Sequence, residues 1–175
     1  MSKPYRIRIQ DVVTVQDFST FHVDPVPLMP PAEFAEILEQ VLLEAGWEKD
    51  EEGRVTMQID ERMTYRFEPE TMQIVTEVQA AENVDQTLEG WAPDALEERG
   101  KELLERREQF LAEQTTSHLE ESNQERRDAC EGWVVEATGR AIKAAAERLG
   151  DVQDIHEERG EDGKYRLTIT IEERQ

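Results

Sequence analysis

Three histidines and one cysteine carry most of the reactive chemistry this 175-residue chain could offer, and their spacing limits it. His22, His118 and His156 lie far apart, and none belongs to an HExxH or Cys-His zinc pattern. The stretch "FHVDP" sets the imidazole of His22 near the carboxylate of Asp24, too few ligands for a metal without help from elsewhere. "DVQDIHEE" at 151–158 is denser in carboxylates, but on a strand its acids alternate between faces. The turns "DEEG" and "GEDG" lack the spaced Asp and Asn of a calcium loop. Cys130 has Arg126 and Arg127 one helical turn away, but Asp128 and Glu131 oppose them, so a helix-packing role suits it better than an activated thiolate. There is no Gly-rich phosphate loop and no serine elbow. "PLMP" is formally a PxxP, and a buried crossover explains it at least as well. These residues therefore assign no catalytic, cofactor-binding or metal-binding position, and the expectation is a protein that is not an enzyme.

Charge narrows the function classes further. Asp and Glu number 41 against 20 Lys and Arg, a formal charge of −21. Phosphate contacts need clustered cations, and the longest basic runs are the pairs Arg106-Arg107 and Arg126-Arg127, so neither nucleic acid nor an anionic membrane surface is an expected partner. A solvated, self-repelling surface explains the acidity. A surface meeting a basic partner, or imitating a polyanion, explains it too. A lone cysteine excludes an intramolecular disulfide. The N-terminus lacks a signal-peptide core, and no apolar run approaches a membrane span. The expected location is the cytoplasm.

The elements that must position these groups follow from periodicity. "YRIRIQD" at 5–11 and "YRLTITIEE" at 165–173 alternate apolar and polar residues and read as the same structural part used twice, each strand presenting Tyr and Ile to one core. The first strand is expected to run to about Gln16. Pro25, Pro27, Pro30 and Pro31 then mark an extended connection. Phe34, Ile37, Leu38, Val41, Leu42 and Ala45 predict a helix over about 31–45, opened by Pro31 and capped by Gly46. Val55–Ile59, Met63–Phe67 and Met72–Val78 read as a meander, with a turn at "EPET"; the odd-numbered alternation continues across Asp60-Glu61, so one long bent strand over 55–67 reads the same. Residues 93–149 read as helix, carrying a stripe of Leu103, Leu104, Phe110, Leu111 and Leu119. Apolar residues nearly vanish between Thr115 and Arg127, which predicts either an exposed arm or a break there, with a second helix over about 130–149 ended by Gly150.

All three tryptophans follow glycine, at 46–47, 90–91 and 132–133. Capping and core roles account for the pattern, with one Trp left over as a possible partner anchor. Trp91 is the candidate. With the acidic helical segment it gives a set of candidate partner-binding residues: Trp91, Glu105, Glu108, Glu113, Glu120 and Glu121.

From Gly139 to Glu173, "GRAIKAAAERLGDVQDIHEERGEDGKYRLTITIEE" has an Ala-rich helix ending in Leu-Gly, an acidic-Val step, a strand containing Glu, a Gly-containing turn and a Tyr-x-Leu-x-Ile-x-Ile strand. This resembles the C-terminal part of accessory domains in bacterial FtsH ternary systems, associated with MoxR-type ATPases and von Willebrand A-type proteins. The resemblance implies a non-catalytic adaptor in an ATPase-centred assembly, with an AAA+ or MoxR-type ATPase or a von Willebrand A-type protein as partner. It supplies no active-site motif.

The expected fold is α+β, an antiparallel sheet of about five or six strands with helices on one face and a long helix or helical hairpin inserted. The chain is expected to be a single domain over 1–175, with 93–149 as the insertion. An interaction module is the leading functional expectation, a polyanion mimic the alternative, and an uncharacterised enzyme the third.

Overall fold

The computed structural model describes residues 3–162 and 164–173. Its elements run β1 (Tyr5–His22), α1 (Pro31–Glu44), β2 (Glu48–Lys49), β3 (Val55–Gln58), β4 (Met63–Glu68), β5 (Gln73–Gly90), α2 (Pro93–Glu121), α3 (Asn123–Leu149), β6 (Gly150–Arg159) and β7 (Tyr165–Glu173). The fold is α+β: one five-stranded sheet has the order β1-β5-β4-β3-β2, and β6 pairs with β7 in a separate antiparallel hairpin. The chain divides into two compact units.

The first unit takes in residues up to Ser19, Gln58–Thr64 and Thr76–Asn123. Odd-numbered residues of β1 turn inward, and Val13 joins Ala80 and Val84 of β5 and Leu111 of α2 in one apolar cluster. Two turns further along α2, Leu119 closes on Met63 and Val78. Thr115 lies buried between these two leucines and donates its hydroxyl to the Leu111 carbonyl at 2.8 Å. Each leucine so buried stabilises the unit by about 2 kcal/mol, which lets a helix as charged as α2 hold its place. On the opposite sheet face Arg8 grips Asp85 through two hydrogen bonds, 2.9 and 2.7 Å. Exposed pairs of this kind contribute little net stability.

The second unit takes in Thr20–Met57, Tyr65–Val75 and the chain from Gln124 onward. α1 supplies Phe34, Leu38, Val41 and Leu42, which pack with Val55, Tyr65, Phe67 and Ile74 from the strands and Cys130, Ala137, Ala141 and Ala145 from α3. Small residues on α3 let it approach closely. Where α1 ends, Gly46 adopts φ +99°, a left-handed conformation that costs glycine little. The Gly46 N–H donates to the Leu43 carbonyl at 3.2 Å and the Trp47 N–H to the Leu42 carbonyl at 3.1 Å, a Schellman cap. That cap turns Trp47 into the core, where it stacks on Tyr65 at 5.5 Å and meets Trp133 edge-on at 5.2 Å. Ion pairs frame α3: Arg140 reaches Glu44 and Glu136, Arg148 reaches Glu33, and Lys143 reaches Glu157.

Several sequence expectations need correction. β1 continues to His22, because Asp17, Ser19 and Phe21 keep the inward alternation, which the polarity of Asp17 and Ser19 disguises. β5 likewise runs on to Gly90 instead of stopping at Val78. The break expected between Thr115 and Arg127 falls at Ser122, but α3 begins at Asn123, earlier than position 130. Tyr5 is exposed, and β1 and β7 belong to different sheets, so the two Tyr-Ile strands do not present one core. Period-two alternation says that a strand has a drier face, and it leaves the partner strand open.

Gly150 ends α3, as expected, and is at once the first residue of β6, opposite Glu173. A Cβ there would lie 2.4 Å from the Glu172 carbonyl oxygen, a backbone atom that no rotamer change can move. Gly150→Ala is therefore expected to loosen the hairpin. Hydrogen exchange should show faster amides in β6 and β7 while α1 keeps its protection; unchanged hairpin protection would contradict the close approach.

Candidate functional site

On α2 the positions Phe110, Gln114, Ser117 and Glu121 follow one another at intervals of four, three and four residues, the spacing of one helical stripe. This stripe, with Glu113 and His118, forms one wall of a groove of about 900 Å³. The turn between β3 and β4, residues Asp60, Glu61 and Arg62, forms the other. The stripe stays open because Leu111, Thr115 and Leu119 occupy the buried side of the helix.

The turn is built around one carboxylate. Asp60 Oδ1 accepts the backbone N–H groups of Arg62 at 2.7 Å and Met63 at 2.8 Å, while the Ile59 N–H donates to the Met63 carbonyl at 2.9 Å. Its other oxygen, Oδ2, lies 2.9 Å from His118 Nε2. Partial burial works to raise the Asp60 pKa, but the backbone N–H of Arg62, the His118 ring and the N–H of Met63 together outweigh it, holding the carboxyl below the ordinary Asp value. Asp60 thus ties the strand turn to the helix and points acidic groups at the groove from both walls. Phe110 stands 52% exposed beside Glu113, an aromatic face rimmed by carboxylates. Such a surface can take a cationic side chain whose stem covers the ring and whose head reaches the acids.

Of the candidate residues named from sequence, the structure brings Glu113 and Glu121 together in this groove. Glu105, Glu108 and Glu120 are also exposed on α2 but lie outside its lining, as does Trp91, 68% exposed ahead of the helix. The sequence reading missed Phe110, Asp60 and His118. The apolar spacing along α2 puts Phe110 in the stripe, yet it sits one residue before buried Leu111 and so about 100° around the helix from it. That offset was a usable signal, whereas the approach of Asp60 to His118, 58 residues apart, left none.

Elsewhere, burial pushes the Cys130 thiol up to about 11, with Arg126 pulling it down and Glu131 up. It is held as a neutral packing group. Among the described residues, no three His, Cys, Asp or Glu side chains converge to hold a metal ion, and no helix is long and apolar enough to cross a membrane.

A family model described as FtsH ternary system domain X5 matches residues 1–172. The match takes in nearly the whole chain, well beyond the Gly139–Glu173 segment that carries the visible resemblance. No curated protein and no solved structure matches significantly.

Removing the Asp60 carboxylate in Asp60→Ala should cost about 1 kcal/mol in urea unfolding, since two backbone donors lose their acceptor. The sign with pH follows from the lowered pKa. The ionised carboxylate favours the folded state, so its contribution is present above an unfolded value of about 4 and is lost as pH falls through the lower folded value. The stability gap between the natural protein and the variant should therefore narrow below about pH 4. A gap that stays constant into acid would mean that Asp60 acts by shape alone.

Proposed function

The chain belongs to the FtsH ternary system domain X5 family, and we propose that within such a system it is a non-catalytic interaction or adaptor component that presents the α2 groove to a protein partner. The observation that carries this reading is Phe110, an exposed aromatic ring set among Glu113, Glu121 and Asp60. Large aromatics are favoured anchors at interfaces, and a rim of one charge sign speeds the approach of a partner of the other. The partner is then a protein whose docking segment bears Lys or Arg. The AAA+ or MoxR-type ATPase or the von Willebrand A-type protein of the same system is the class proposed, meeting this chain in the cytoplasm.

Polyanion mimicry finds less support. It needs an unbroken line of carboxylates, but Arg106 and Arg107 interrupt α2, and Arg107 Nη1 lies 3.4 Å from Glu82 Oε1.

The test is binding kinetics of the full chain against the purified ATPase and von Willebrand A-type components. Glu113→Lys/Glu121→Lys should slow association by roughly tenfold at low salt, with the difference shrinking as salt rises. Trp91→Ala should leave the rate unchanged. Failure of the natural protein to bind either component, or binding indifferent to the two reversals, would overturn the reading.

A further inference from the structure

The two sheets treat their edges differently. In the five-stranded sheet one edge strand, β2, has only two residues. The other, β1, has backbone donors occupied by its own acids: the Val12 N–H donates to Asp11 Oδ1 and the Phe18 N–H to Asp17 Oδ1, both at 2.8 Å. Short edges and inserted charges are the usual guards against unwanted strand pairing. In the hairpin, β6 is guarded by Asp151, Asp154, Glu157 and Glu158. β7 is not guarded. Its middle, Leu167-Thr168-Ile169-Thr170-Ile171, carries five residues with no charge, no proline and high strand propensity. Among the described residues β7 pairs with β6 alone, which leaves its second edge without a strand.

We infer that this edge is a self-recognition surface, on which β7 of a second copy of the chain adds antiparallel to form a continuous sheet β6-β7-β7-β6 across a two-fold axis. The occupant is chosen by charge. If the nine residues of β7 overlap fully with their copy, Ile169 falls on the axis and meets itself. Thr168 then meets Thr170, Leu167 meets Ile171, and Arg166 meets Glu172 of the partner, twice by symmetry. Arg166, Thr168, Thr170 and Glu172 share the exposed face of the strand, so within each of the two pairs the opposite charges lie on the same face and in reach of each other. A parallel arrangement in the same register would place Arg166 on Arg166 and Glu172 on Glu172, which is unfavourable. The present partners of these two groups do not compete strongly: Arg166 Nη1 is 3.9 Å from Glu158, and Glu172 accepts from the Gln153 amide at 3.0 Å. Pairing would also widen the apolar strip of the hairpin, where Ile155 is 42% and Ile171 38% exposed.

This inference does not depend on the α2 groove. It is tested by sedimentation of the full chain over a wide concentration range at near-physiological salt. The natural protein should dimerise, and amides of 167–171 should exchange more slowly as concentration rises. Arg166→Glu and Glu172→Arg should each weaken the dimer by roughly tenfold, since two attractive pairs become repulsive. The double variant Arg166→Glu/Glu172→Arg restores opposite charges across the axis and should recover the natural affinity. Circular dichroism checks that the hairpin survives each change, and the natural protein's own concentration dependence decides the matter if a single variant unfolds. A monomer at every concentration, a dimer indifferent to the single reversals, or a double variant that fails to recover would each overturn it.

Discussion

Self-repulsion is the constraint on which the rest of this structure depends. A chain at −21 with 37% hydrophobic residues must gather those residues on single faces, because carboxylates forced into an apolar interior would be desolvated without compensation. The solution is strict economy of burial. α2 keeps Leu96, Leu111 and Leu119 buried along 29 residues, and small side chains on α3 replace bulk with close approach. The cations are used locally: Arg8, Arg140 and Arg148 each hold a carboxylate from another element, which relieves crowding where strands and helices meet.

What could be read from the sequence follows from this economy. α1 was legible because its apolar spacing, its opening proline and the Gly46-Trp47 step all point the same way, and the observed cap realises them. The alternation in 165–173 identified a strand equally well. The far ends of β1 and β5 were not legible, since "DFSTFH" and "QAAENVDQTLEG" put polar residues on faces that are only half dry. There the strand is held by its ladder, an interaction between distant segments that side-chain periodicity does not record. The same limit explains why two similar strands, 5–11 and 165–173, belong to different sheets.

The candidate site shows the matching division. Glu113 and Glu121 could be named from charge density along the helix. Asp60 could not, because its role is fixed by two backbone donors in its own turn and by a histidine on a distant helix. Charge marks which surface is polar, and turn chemistry decides where that surface acquires depth.

Two modes of recognition then divide along physical lines. The α2 groove offers charge and an aromatic ring, so recognition there would follow complementary potential and depend on salt. The β7 edge offers backbone donors and acceptors with a neutral centre, so recognition there would follow register, with the two terminal charges fixing it. A strongly acidic protein that pairs this way has reason to keep such an edge free of carboxylates, because an acid at position 169 would meet its own copy on the axis and acids at 168 or 170 would lie one diagonal step from theirs.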